Sequence, residues 1–237
     1  MRATNWEFAN RALVFGLIFA FAFLLYPLDH QNSTAALADW LGIRLGKDSD
    51  LLARLLFACA AFFLLVAALI RTWASSYLQA KVVYAAEVKT ATLVADGPYR
   101  RVRNPLYFGN VWMAVGLASM MSRTGAVVAI AAMVAFCYRL ILREESSLKA
   151  SQGEEYERYQ EAVPRLWPSL SPRIAASGRP ARWAEGFKAE SWCWGFAAVV
   201  VAFAITLNTK VFFGILGTSV VLLWLFSVVQ KKSNSSS

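Results

Sequence analysis

The chain has 237 residues, 58% of them hydrophobic and only 16% charged, with a formal net charge of +9. A soluble domain carries about 25% charged residues, so this composition excludes a water-soluble globular fold and predicts several apolar spans. The basic excess is spread over the segments between those spans, with no nucleic-acid-binding module. It points to membrane topology and anionic headgroups, not to nucleic acid.

Six transmembrane helices are predicted, over residues 11–27, 51–70, 105–121, 124–142, 192–208 and 211–229. Each is near the length that crosses a hydrocarbon core of about 30 Å. The first has no small-residue cleavage site after it and is expected to be retained. Ser122-Arg123-Thr124 and Asn208-Thr209-Lys210 are short connections, so spans three and four, and spans five and six, are expected to form tight hairpins. The expected fold is all-α, a polytopic membrane helical bundle. It divides into an amino-terminal span and loop over 1–50, a core over 51–168, and a linker, hairpin and disordered tail over 169–237.

Basic residues predict the orientation. With the amino terminus in the cytoplasm, 18 lysines and arginines fall on that side and 5 on the other, while Arg139 lies inside a span. Such a bias places both termini and the polar segments 71–104 and 143–190 in the cytoplasm. In a bacterium this would be the inner membrane. Trp183 and Phe187 are spaced four apart, as on an interfacial helix.

The remaining special residues exclude several chemistries. Cys59, Cys137 and Cys193 lie in or beside apolar runs and are expected to be small buried hydrophobes, with neither a disulfide framework nor a CxxC pair. His30 is the only histidine. No metal partner and no Ser-His-Asp triad is therefore expected.

The most informative stretch runs from Asp96 to Gly109, DGPYRRVRNPLYFG, with three arginines on a turn-forming segment that leads into the third span. Asn104 suits an N-cap and Pro105 the first helical position. The free N–H groups there, beside Arg103, predict an anion site. Arg103, Tyr107, Asn110 and Ala114 fall on one helical face. At the end of the fourth span, Tyr138 and Glu145 share a face, and Arg139 and Arg143 share another. Because the hairpin is tight, these ends should meet. Their cations, the Glu144-Glu145 pair and the aromatics suit a zwitterionic ligand with an aromatic portion. Ala114, Ala118 and Ser119 are expected to leave a lateral gap for a lipid chain.

These residues resemble the isoprenylcysteine carboxyl methyltransferase and phospholipid methyltransferase superfamily. The resemblance rests on Leu93-Val94, Gly97-Pro98-Tyr99, Arg103, Pro105, Tyr107 and Gly109, then Glu144-Glu145, Leu148, Gly153, Tyr156, Tyr159 and Val163-Pro164. It covers about residues 50–168. The family's histidine is Asn104 here, which can donate a hydrogen bond but cannot shuttle a proton. The resemblance implies S-adenosylmethionine as cofactor and a lipid or prenylated acceptor, methylated on a carboxyl oxygen or an amine. By analogy Thr92, Leu93, Val94 and Tyr99 line the cofactor from the loop. Arg103 lies beside the helix start, where Asn104, Pro105, Leu106 and Tyr107 hold the cofactor. Glu144 or Glu145 closes the site. Arg139 or Arg143 would orient an anionic acceptor, and Glu145 would be the base for an amine. Two other classes share part of the pattern: a sterol-reductase-like enzyme using NADPH, against which the Glu pair argues, and a non-catalytic membrane scaffold.

Overall fold

A computed structural model describes residues 2–78 and 95–219. Thr92, Leu93 and Val94, and the sixth predicted span beyond residue 219, lie outside the described residues. In chain order the helices are α1 (Asn5–Ala9), α2 (Arg11–Phe23), α3 (Ser33–Leu45), α4 (Ser49–Tyr77), a 3₁₀ turn (Gly97–Arg100), α5 (Pro105–Ala118), α6 (Arg123–Gln152), α7 (Glu154–Ala162), α8 (Trp183–Ala189) and α9 (Ser191–Thr206). Residues 209–219 are helical again. Among the described residues there is no strand, only an isolated bridge between Asn32 and Ser122.

Caps explain most boundaries. Thr4 and Glu7 form a capping box on α1. Asn32, Asp48 and Ser122 cap α3, α4 and α6 through their side-chain oxygens. Helix α3 ends at Gly46, whose φ of 60° is the left-handed region glycine tolerates.

Helices α4 and α6, of 29 and 30 residues, are long and apolar enough to cross a membrane. The α8–α9 pair, bent by 64° at Glu190, makes a third crossing if it is one span. With 13 and 14 residues, α2 and α5 are only about 20 Å long and fall short of a full crossing. Exposed Leu13, Leu17 and Phe21 on α2, and Leu55, Phe62 and Leu69 on α4, form surfaces suited to lipid.

Helix α4 is the axis of the bundle and packs against α3, α5, α8 and α9. It crosses α5 closely because that face of α5 is glycine. A Cβ on Gly116 would lie 2.5 Å from Leu64 Cγ and 2.9 Å from the Ala60 carbonyl. Small residues drive such approaches in membranes, where apolar burial offers little between helices. Helix α6 packs against α5 and α2 through Tyr107, Ala114, Met133, Phe136, Cys137 and Leu140. The expected hairpin of spans three and four is present as α5–α6.

Three local expectations are corrected. Ala114, Ala118 and Ser119 are all buried, with Ala114 inside the α5–α6 cluster and the Ser119 carbonyl accepting from Thr34 and Asn32. They line no lateral gap, because small residues here let elements approach. Cys59 is exposed on the outer face of α4, whereas Cys137 and Cys193 are buried. The loop expected before residue 50 contains α3, held to the α5–α6 turn by Ser33 and Thr34.

At the other end of the bundle, residues 163–182 form a strap across the 95–103 turn. Ser169 and Arg173 donate backbone N–H groups to the carbonyls of Arg101 and Arg100 at 3.0 and 2.8 Å. Arg100 Nε donates to the Ile174 carbonyl at 2.9 Å. Tyr159 on α7 donates to the Tyr99 carbonyl at 2.8 Å. Asp96 is the latch: it accepts from the Ser177 N–H at 2.8 Å, from the Ser177 hydroxyl and from the Arg179 N–H at 3.1 Å. Burial opposes its ionisation, but the donors from Ser177 and Arg179 outweigh that and hold its carboxyl below the ordinary carboxylate value.

Two outcomes test this architecture. Gly125→Val would drive a side chain into the Ala22 carbonyl, 2.4 Å from the position of a Cβ. Overpacking of this kind costs about 1–3 kcal/mol, so the melting temperature in detergent should fall by several degrees. The second concerns Asp96. Its folded pKa is depressed, so its contribution is present above the ordinary carboxylate value and is lost as pH falls through the lower folded one. Peptic cleavage within 169–182 should therefore rise below about pH 4 in the native chain. Asp96→Ala should lack that step and be cut by trypsin at Arg173 and Arg179 about fivefold faster at neutral pH, the equivalent of about 1 kcal/mol. Equal cleavage of both proteins at every pH would remove the latch.

Candidate functional site

The start of α5 and the end of α6 meet beneath the strap, and their centre is Glu145. Its side chain is 5% exposed. Oε1 accepts from Asn104 Nδ2 at 3.2 Å and lies 3.2 Å from Arg103 Nε. Oε2 accepts from Arg165 Nε at 3.0 Å and from Gln160 Nε2 at 3.4 Å. A buried carboxylate requires such partners. The Arg103 contact is one of charge alone, because its Nε–H makes no hydrogen bond. That arginine is anchored elsewhere: Nη1 donates to the Gln160 carbonyl at 2.6 Å and its backbone N–H to the Pro164 carbonyl at 2.9 Å.

Asn104 does not cap α5 with its side chain. Its amide instead spans from Glu145 to the Arg165 carbonyl at 3.0 Å. The capping expectation is therefore corrected: the Nδ2 donations hold the side chain toward Glu145 and Arg165, and Oδ1 caps no first-turn N–H. Pro105 does occupy the first turn, as expected.

Glu144 faces the other way along α6 and accepts a hydrogen bond from the buried Tyr107 hydroxyl. Tyr99, on the turn, is buried beside the same group. Burial, reinforced by the negative charge of Glu144, pushes its phenol well above the ordinary value. It stays neutral in the working range. Burial likewise raises Tyr156 and Tyr159, which pack with Val163 beneath the strap. Leu106 lies between Pro105 and Tyr107, and its carbonyl accepts from Arg71 Nη1 at 3.2 Å.

The two α6 arginines take a different place from the Glu pair. Arg139 makes a two-pronged contact with Glu7 of α1 at 2.8 Å. Arg143 donates to the Ala3 carbonyl at 3.2 Å and lies over the Phe8 ring at 5.0 Å. They share a face, as expected, and that face receives the amino-terminal segment. The Tyr138–Glu145 face is completed by Arg165, which reaches the Tyr138 hydroxyl at 3.2 Å as well as Glu145.

Sequence reasoning did not single out Arg165, Gln160 or Glu190 as site residues. Arg165 follows the Val163-Pro164 element directly, and that position was the available signal. Glu190 stood alone at the edge of an apolar run. A polar cleft of about 520 Å³ opens beside Glu145, lined by Arg103, Lys149, Glu157, Gln160, Glu161 and Arg165.

The donor set fits the zwitterion of S-adenosylmethionine. Arg103, with a buried Nε–H that makes no hydrogen bond, supplies a cation for a carboxylate. Glu144 supplies an anion for an ammonium, and Tyr99 and Tyr107 supply aromatic surface. Among the described residues no group of three or more His, Cys, Asp or Glu side chains is placed to hold a metal ion.

Comparison with known proteins bears on the same region. Residues 54–154 match the phospholipid methyltransferase family. The cobalt-zinc-cadmium resistance protein CzcN of Cupriavidus metallidurans is 31% identical over 101 residues, which is 43% of this chain and 44% of that protein. The nickel-cobalt-cadmium resistance protein NccN of Alcaligenes xylosoxydans xylosoxydans is 30% identical over 101 residues, with the same coverage. The chain thus spans under half the length of these curated relatives. No solved structure matches it. The matched segment begins in α4 and carries the whole α5–α6 hairpin with its Glu pair, so this region of the chain is similar to the phospholipid methyltransferase family.

Proposed function

We propose that the chain is an S-adenosylmethionine-dependent methyltransferase of the membrane, acting on a lipid or prenylated acceptor at a carboxyl oxygen or an amine. One observation carries this reading: the α5–α6 hairpin gathers Arg103, Asn104, Tyr107, Glu144 and Glu145 at one end, under a strap pinned to the Tyr99 turn. A cation, two carboxylates and buried phenols at one end of the hairpin are the group types that the poles of the cofactor call for. In this reading residues 51–168 are the methyltransferase core, and the flanking segments cover and support it.

When bound, S-adenosylmethionine supplies a methyl group activated on a sulfonium. Arg103 and the first turn of α5 would hold its carboxylate, and Glu144 its ammonium. Tyr99 and Tyr107 would place electron-rich ring faces beside the cation. The chain's main contributions to rate are then alignment and exclusion of water. The strap over the 95–103 turn supplies the second.

The Glu pair divides its labour. Three hydrogen bonds and the Arg103 cation already surround the Glu145 oxygens. Glu145 therefore organises the pocket, and Glu144, held by Tyr107, is the group able to meet a ligand ammonium or accept a proton from an amine acceptor. Arg139 and Arg143 remain the candidates to orient an anionic acceptor, in exchange for Glu7 and the Ala3 carbonyl. The positive-inside bias supports a cytoplasmic position for this end of the bundle and for both termini.

The first test is binding of S-adenosylhomocysteine by calorimetry. Tyr107→Phe and Glu144→Gln should each weaken it by about 1–3 kcal/mol. Unchanged affinity in both would remove the site assignment. The acceptor is tested with labelled cofactor on membrane extracts. A carboxyl acceptor should yield base-labile label and depend on Arg139 or Arg143. An amine acceptor should yield stable methylamines and lose most activity on Glu144→Gln. Label confined to soluble metabolites would refute the lipid acceptor. Orientation is tested by cysteine labelling of intact cells. Ser49→Cys should react and Ser151→Cys should not; the reverse would move the pocket across the membrane.

A further inference from the structure

Arg71 lies near the end of α4 and is 5% exposed. A guanidinium in a membrane helix is costly and calls for a partner. Its Nε lies 2.7 Å from Glu190 Oε2, and Glu190 is fully buried at the bend between α8 and α9. The carboxylate is further satisfied by the Ser75 hydroxyl, which donates to Oε1 at 2.6 Å. Trp192, two residues on, lies under the guanidinium at 5.1 Å.

The other edge of Arg71 faces α5. Nη1 donates to Asn110 Oδ1 at 2.5 Å and to the Leu106 carbonyl at 3.2 Å. One guanidinium thus grips both ends of the α5 turn that carries Tyr107. The grip is possible because Gly109 has no side chain: a Cβ there would stand 2.5 Å from Arg71 Cγ. Leu106, Tyr107, Gly109 and Arg71 all lie within the family-matched 54–154, but Glu190 lies outside it.

We propose that Glu190 is a positioning residue: through Arg71 it fixes the α5 turn from Leu106 to Asn110, and so sets where Leu106 and Tyr107 stand in the methyl-donor pocket. This rests on the functional reading above. A structural role would be simple neutralisation of a buried arginine, which any cation–carboxylate pair achieves. Positioning needs more, because the side chain at 71 must reach Glu190 and α5 at once. Lysine keeps the charge and cannot do so, since an ammonium lacks the planar fork of a guanidinium.

The experiment uses the full chain in detergent, with two readouts: hydrogen exchange of peptides covering 105–111, and calorimetric binding of S-adenosylhomocysteine. Glu190→Gln and Arg71→Lys should each quicken exchange across Leu106–Asn110, leave the middle of α6 protected, and weaken binding about tenfold. The double variant should lose no more than either single one, because both remove the same grip. Native exchange and native affinity in Arg71→Lys would overturn the proposal and leave neutralisation as the role. If Glu190→Gln loses protection in every helix, Arg71→Lys decides alone. A native chain that does not bind S-adenosylhomocysteine would refute the donor-pocket reading, whereas the exchange arm would still confirm or overturn the grip on α5.

Discussion

A carboxylate removed from water needs cations and donors, and at this end of the bundle Glu145 draws them from three separate segments. Arg103 and Asn104 come from the start of α5, Gln160 from α7 and Arg165 from the strap. Removing one partner of such a buried group is costly, on the order of 3–5 kcal/mol, whereas exposed pairs such as Arg158–Glu154 contribute little. The chain's path after α6 follows from this need. It turns at Gly153, runs through α7, and returns as a strap so that Arg165 can reach the carboxylate. The Tyr159–Tyr99 and Asp96–Ser177 contacts then hold the strap across the turn.

The membrane imposes a second constraint. Between apolar helices, packing must come from close approach and from polar contacts with defined partners. Helix α5 shows both. Gly116 lets the backbone of α4 come near, and Gly109 leaves a passage through which Arg71 reaches across. A single small residue is therefore read in two ways, as a packing device at 116 and as a route for a charged side chain at 109. The same logic makes Ala114 and Ala118 part of a sealed interface.

Much of the site was legible from spacing. Asn104-Pro105 marked a helix start, Glu144-Glu145 marked the end of its partner, and the short link at 122–124 required them to meet. What misled was local chemistry with more than one outlet. Asn104 is a good cap in isolation, yet its Nδ2 donates to Glu145 and to the Arg165 carbonyl, and that orientation leaves the first-turn N–H groups uncapped by its side chain. Arg139 and Arg143 share a helical face as computed from periodicity, but periodicity does not say what lies opposite. Here it is α1, with Glu7 and the Ala3 carbonyl. Helix α3 escaped notice because its apolar residues are too few for a span, and its ties to Ser119 and Ala118 join positions about 85 apart in the chain.

The sequence by itself determined the all-helical class of the molecule, the α5–α6 hairpin and the set of polar groups at its open end. These follow from composition, periodicity and short connections, all of which act over a few residues or one helix length. Only the tertiary structure decided how those groups pair. Glu145 is enclosed while Glu144 is left to Tyr107, Arg165 arrives from the strap, and Arg71 is completed by a carboxylate 119 residues away. Pairing of this kind depends on which faces of separate helices come to oppose one another. That is set by packing across the whole bundle, where the cost of leaving any buried charge without a partner selects one arrangement.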